Sequence, residues 1–192
     1  MRKFIAMACA ALLLASCAET PLKKTMTDMS FDKVQPVALD VGKIEVSDQY
    51  KPPMQKPNVE HLFKPTPVDA VTKLLNKALV AEGAGKTLRV IIDDASVVDE
   101  PLPMTDGFWG NFTQEPSDRY KAKVSLRFQL VDDAAPDIIL GHAEVIASRN
   151  RTLLKGTTLA DRDKAAYDLT AELMSDVDDG LQTIVENTFG KK

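Results

Sequence analysis

The stretch Tyr120-Lys121-Ala122-Lys123-Val124-Ser125-Leu126-Arg127-Phe128-Gln129-Leu130 puts an apolar side chain at every even position and a polar one at every odd position. Successive side chains of a strand point to opposite faces, so this period of two predicts a strand with one face in a core and one in water. Downstream, Asp132 to Asp137 reads as a turn, and Ile138 to about Arg149 as a second strand returning antiparallel. Upstream, Leu88 to about Val98 is rich in branched apolar residues and is closed by Pro101 and Pro103. Val41 to Val46 alternates well enough to be the first strand.

A half-buried sheet needs a cover, and two amphipathic segments supply it. Thr66 as N-cap, Pro67 in the first turn and Asp69 at the third position open a helix. Its apolar stripe is Val68, Val71, Leu74, Leu75, Ala78 and Leu79, and Gly83 reads as its C-cap. Thr158 with Asp161 opens a second helix toward Phe189, carrying Ala166, Leu169, Leu173, Val177, Leu181, Ile184 and Val185 inward, with Gly180 weakening it and Gly190 ending it. The expected architecture is α+β: a βαβββα sandwich, with a mostly antiparallel four-stranded sheet and two helices on one face.

Gly83-Ala84-Gly85-Lys86-Thr87 superficially suggests a phosphate loop. That motif needs a glycine where the chain has Val80, and it must follow a strand and open a helix. Here a helix precedes and a strand follows, so nucleotide binding is not expected.

The chain begins with Arg2 and Lys3, then an apolar run from Phe4 to Ala15. That run is shorter than the roughly 20 residues of a membrane span and fits a secretory signal. Leu14-Ala15-Ser16-Cys17 follows, and it resembles the lipobox of bacterial lipoproteins. The resemblance implies cleavage before Cys17, acylation of that residue and, with Ala18 rather than Asp next, transfer to the periplasmic face of the outer membrane. Cleavage would remove sixteen of 192 residues and two of the 24 basic ones, moving the formal charge from −4 to −6. An acidic body argues against nucleic acid as a partner. Cys9 and Cys17 are the only cysteines, so no disulfide is expected in the mature body.

The expected division is a signal peptide at 1–16, a flexible lipid tether at 17–40 and one domain at 41–192. Seven of the eleven prolines fall by Pro67, in the tether and the start of the body, which favours extended chain there. Val59 to Phe63 is a small apolar island expected to pack on the domain's edge.

The lipobox, the proline-bearing tether and the βαβββα order together resemble small Gram-negative envelope lipoproteins. These include the lipopolysaccharide-assembly lipoprotein that plugs a barrel and the auxiliary lipoproteins of ABC-type lipid transport. The resemblance implies a non-enzymatic protein that assists envelope assembly or lipid transport by binding partners: the membrane through its acyl chains, envelope proteins, and lipid. It carries over no site residue beyond Cys17.

Chemistry-bearing residues are sparse. His61 and His142 are the only histidines. His142 shares a strand face with Glu144, yet no nucleophile elbow and no mature thiol accompanies it, so a solvated pair is expected. A hydrolase using His142, or a regulator of a periplasmic cell-wall enzyme, are the alternatives. Asp176 to Gly180 with Glu186 echoes a calcium loop, but Ser175 and Val177 would then fall at ligand positions, so the segment reads as a helix face. Asp93-Asp94 and Asp99-Glu100 read as surface charge, and the Asn111 and Asn150 sequons carry little meaning in a bacterial lipoprotein. No metal, cofactor or catalytic residue is expected.

One loop departs from ordinary loop composition. Met104 to Phe112 carries the only tryptophan, Trp109, with Phe108 and Phe112 among glycines. Met104, Phe108, Trp109 and Phe112 either anchor a partner or fold back to cap the open end of the sandwich.

Overall fold

The computed structural model describes residues 28–103 and 115–189. In chain order the elements are β1 (Val37–Leu39), β2 (Lys43–Asp48), α1 (Pro67–Ala78), β3 (Leu79–Ala81), β4 (Lys86–Pro101), β5 (Pro116–Asp132), β6 (Ile139–Leu154) and α2 (Leu159–Ile184). A 3₁₀ turn, Glu60–Leu62, precedes α1, and a π-helical turn, Val185–Phe189, continues α2.

The alternating stretch forms the middle of β5, at the centre of a sheet ordered β2-β4-β5-β6. β4, β5 and β6 are antiparallel neighbours, and β2 runs parallel to β4. Its even side chains face the helices: Val124, Leu126 and Phe128 are buried there against Leu88, Val90 and Ile92 of β4. α1 contributes Val71, Leu74, Leu75 and Ala78 to this core, and α2 contributes Leu169, Leu173, Val177 and Leu181. Both helices begin as read: Thr66 Oγ1 accepts from the Asp69 N–H and Thr158 Oγ1 from the Asp161 N–H, each at 3.2 Å. Two helices on one face of a mostly antiparallel sheet is the expected α+β arrangement. Among the described residues no helix is long and apolar enough to cross a membrane.

β4 keeps its apolar residues inside by means of a bulge. Leu88, Val90 and Ile92 face the helices, and so do Ala95 and Val97, which a strict two-residue period would turn outward. The register slips between Ile92 and Asp94, so Asp93 is the inserted residue.

The first helix ends earlier than expected. It stops at Ala78, and Leu79-Val80-Ala81 pairs in parallel with Val37-Ala38-Leu39. Burying Val37, Leu39 and Leu79 beside the core outweighs one further helical turn. Gly83 is therefore not a C-cap. Its N–H donates to the Val41 carbonyl at 2.9 Å, and a Cβ there would lie 2.6 Å from the Asp40 carbonyl carbon, so only glycine permits the approach.

The same pairing corrects the tether. Residues 28–40, expected to be flexible, are built into the body: β1 lies among them and Met29 is buried. The first sheet strand begins at Lys43 rather than Val41, with Ile44 and Val46 toward the core. The Val59 to Phe63 island does pack on the edge, burying Val59 and Phe63 and leaving Leu62 63% exposed.

That island also closes one side of the sheet. Past the end of β2, the Val59 N–H donates to Val97 and the Asp99 N–H to Pro57, both at 2.9 Å. Glu60 is buried, accepting from the Tyr50 hydroxyl at 2.9 Å and from the Val97 N–H at 3.3 Å. Burial, reinforced by the Glu60 carboxylate, pushes the Tyr50 phenol well above its ordinary value.

Candidate interaction surfaces

Two long strands, β4 and β5, lead to the aromatic loop. Met104, Phe108, Trp109 and Phe112 lie outside the described residues, as does Cys17. The flanks of the loop are well held: the Leu102 N–H donates to the Ser117 carbonyl at 2.9 Å, and the Lys155 N–H to the Glu115 carbonyl at 2.8 Å. Beside them Tyr120 packs edge-on against Phe63, with ring centroids 5.3 Å apart.

Three charged residues gather at this end of the sheet. Arg162, in the first turn of α2, donates to Asp118 Oδ2 at 2.7 Å, and the Ser117 hydroxyl donates to the same oxygen at 2.8 Å. Burial raises the Asp118 carboxyl, but these donors outweigh it and hold the group below its ordinary value. Asp99, one strand over, moves the other way: burial, then the Asp118 charge, raises its carboxyl. Asp99 Oδ1 is buried without a hydrogen-bond partner among the described residues. Asp99 is thus more than the surface charge the sequence suggested. The surroundings of Asp99 and Asp118 push these two neighbouring carboxyls in opposite directions.

His142 lies on the open face of β6, exposed, opposite Gln129 of β5. It lines a shallow groove of about 430 Å³ with Asp93, Arg127, Gln129, Ile139 and Glu144. The residues around it pair with one another. Ser125 Oγ donates to Glu144 Oε1 at 3.1 Å, and Arg127 grips Asp93 through Nε at 3.0 Å and Nη2 at 2.6 Å. Ser125 meets Glu144 directly, with no imidazole between them, so the arrangement is not a serine–histidine–acid triad. His142 and Glu144 are exposed, as the sequence suggested.

The rest of the open face repeats that pattern. Lys121 pairs with Glu100 at 2.8 Å, Lys123 with Asp94 at 3.1 Å, and Arg89 with Glu45 at 3.8 Å. The Asp176 to Gly180 segment is helical within α2, with Asp176 held by Arg149 and Asp178 raised by burial. Among the described residues no cluster of three or more histidine, cysteine or acidic side chains is arranged to hold a metal ion.

Asp28, the first of the described residues, pairs with Lys73 of α1. A cleft of about 470 Å³ there is lined by Asp28, Met29, His61, Phe63 and Lys73. Phe63 also packs against Tyr120, so this cleft and the flanks of the aromatic loop share one end of the molecule.

The sequence reading placed β6, antiparallel to β5, but not the apolar side chains it leaves exposed. Ile139, Leu140 and Ile146 are each at least half exposed, and Ile138 just before them is 56% exposed. The signal was present: Val145 and Ile146 are adjacent apolar residues, so they point to opposite faces of the sheet, and only one face is covered by helices.

No protein-family model matches the sequence, and no curated protein matches it. Several solved structures are similar to it. One is the rare lipoprotein B from Shewanella oneidensis, at 16% identity over 75% of this chain and 94% of that one, with a TM-score of 0.39. Lipoprotein B from Nitrosomonas europaea is similar at 11% identity over 83% of this chain and 94% of that one, with a TM-score of 0.41. A Helicobacter pylori homologue of neuraminyllactose-binding hemagglutinin is similar at 10% identity over 84% of this chain and 94% of that one, with a TM-score of 0.44.

Proposed function

We propose that this protein is a non-enzymatic lipoprotein of the bacterial envelope, anchored through Cys17 on the periplasmic face of the outer membrane, and that it assists envelope assembly or lipid transport by binding a partner through the Met104 to Phe112 loop. The observation that carries the reading is Leu14-Ala15-Ser16-Cys17 directly after a short apolar run. One acyl chain holds a protein only marginally, so the multiple chains implied by a lipobox are what would make the anchor lasting.

Two features of the body support the role of the loop. Its flanks are pinned by backbone hydrogen bonds at the end of the sheet. Asp28 lies at that same end, and the eleven steps from Cys17 to Asp28 reach at most about 40 Å of extended chain. A partner met by the loop would then be membrane-associated.

The anchor is tested with a palmitate analogue: the wild type takes up label and Cys17→Ser does not, whereas label on the variant removes the reading. For the loop, Phe108→Ser with Trp109→Ser should leave thermal unfolding unchanged and abolish co-purification of partners from membranes. Exposed aromatics contribute by desolvation in a complex. Lost stability with partners retained would make the loop a structural cap.

A further inference from the structure

The two edges of the sheet are treated differently. Along β4, the outer edge is covered first by β2, which carries Lys43, Glu45 and Asp48, and then by the proline-bearing segment through Pro57 and Val59. These are the usual devices that keep an edge from pairing with another chain. β6, the opposite edge, has sixteen residues with no proline and no lysine, and no described strand pairs with its outer side. Its one bulge lies at its start, where Leu130 pairs with Gly141 and Val131 with Ile139. Beyond it, Gly141 to Leu154 has no break of its own, and Ile146 stands 60% exposed near its middle.

We propose that β6 pairs antiparallel with β6 of a second copy of this chain, around a two-fold axis at Ile146, joining two sheets into one of eight strands. The sequence of β6 is what selects a second copy. A two-fold axis normal to the sheet pairs residues of like face, and centring it on Ile146 sets that isoleucine against its own mate. Glu144, the only acidic residue of the strand, then faces Ser148, and His142 faces Asn150. On the helix side Arg149 faces Ala143 and Arg151 faces Gly141, small residues that leave room for long side chains. No like charges oppose one another, as they would if the axis fell on Glu144 or on Asn150.

The helix layer meets β6 on one face of the sheet. At about 100° per residue the buried stripe of α2 runs through Leu169, Leu173 and Val177, while Gly180, Asp176 and Glu172 lie on its flank. It is this flank that meets β6: Gly180 lies over Val145, Asp176 binds Arg149, and Glu172 binds Arg151 at 2.6 Å. α2 therefore lies over the helix side of β6. In the pair, two acidic helix flanks approach with Arg149 and Arg151 of both copies between them.

The test is disulfide trapping in the detergent-solubilised full chain, which does not require that the lipid-anchor reading be right. Directly opposed residues have Cα atoms about 4.5–5.5 Å apart, inside the range a disulfide spans. Under mild oxidation Ile146→Cys should convert most of the protein to a covalent dimer. Lys121→Cys, exposed on the central strand, should remain monomeric, and the unaltered chain reads any contribution from Cys17. In a second measurement, Ile146→Asp should lower co-purification of two differently tagged copies at least ten-fold with unfolding unchanged. A folded Ile146→Cys that links no more than Lys121→Cys overturns the proposal, as does linkage only to a different protein. Failure of Cys17 labelling would remove the anchor and leave the dimer standing.

Discussion

Arg127 and Phe128 are neighbours in β5 and opposites in every other respect. Phe128 is 1% exposed beneath the helices, whereas Arg127 lies on the open face, paired with Asp93. The same division runs from Tyr120 to Phe128 except at Ser125, which is buried on the open face, so the face beneath the helices carries most of the hydrophobic burial. Hydrophobic burial scales with apolar area removed from water, while exposed ion pairs gain little over their hydrated states. The largest predicted contrast follows. Phe128→Ala should destabilise by about 3–5 kcal/mol, as large aromatic truncations in cores do. Arg127→Ala should leave the denaturant midpoint nearly unchanged, and comparable losses at the two positions would break the division.

Next in size is a contrast between two leucines. Leu75 is 1% exposed on α1 and Leu62 is 63% exposed in the island before it. Leu75→Ala should cost about 2–5 kcal/mol. Leu62→Ala should fall within about 0.5 kcal/mol, as surface substitutions do. Urea midpoints of the two variants, measured side by side, read this directly.

A third prediction sharpens how the helix layer meets the sheet. Gly180→Ala ought to gain about 1 kcal/mol of helix propensity. Its Cβ, however, would lie 2.8 Å from Val145 Cγ1, a branched side chain that is stiff in a strand. Overpacking of this kind costs about 1–3 kcal/mol, so a net loss is expected. Val145→Ala should remove the clash, and the double variant should then be more stable than the sum of the single effects predicts. Additive effects would mean that the helix gives way.

These contrasts also explain what could be read from the sequence. The faces of β5 and both helix starts were legible because periodicity and caps are local chemistry, written within a few residues. The pairing of β1 with β3 was not, because it depends on residues 42 positions apart, Val37 with Leu79, whose partner only the fold supplies. Gly83 illustrates the difference: a glycine after a helical stripe suggests a C-cap, yet the close approach to Asp40 is what requires it. The bulge at Asp93 was half legible, since two adjacent acids interrupt an apolar alternation without saying which one is inserted. The signal-peptide and lipobox reading, Cys17 included, and the aromatic loop rest on local sequence alone, and both lie outside the described residues.

The smallest expected effects concern Asp99 and Asp118, where the covered face meets water at the end of the sheet. Their carboxyls are displaced in opposite directions, Asp99 upward by burial and Asp118 downward by Arg162 and Ser117 in spite of burial. A carboxyl with a raised folded pKa favours the folded state below its unfolded value of about 3.9 and loses that contribution as pH rises through the folded value. One with a depressed folded pKa contributes above its unfolded value and loses that contribution as pH falls through the folded value. At pH 7, then, Asp99→Asn should stabilise and Asp118→Asn should destabilise, each by about 1 kcal/mol or less given their partial exposure. At pH values well below 3.9 both differences should shrink, since the native residues are then losing their charge too. Thermal unfolding of the two variants at both pH values is the measurement. Effects of the same sign at pH 7 would mean that the two carboxyls do not feel the opposed environments described, and that Asp99 finds a partner in solution.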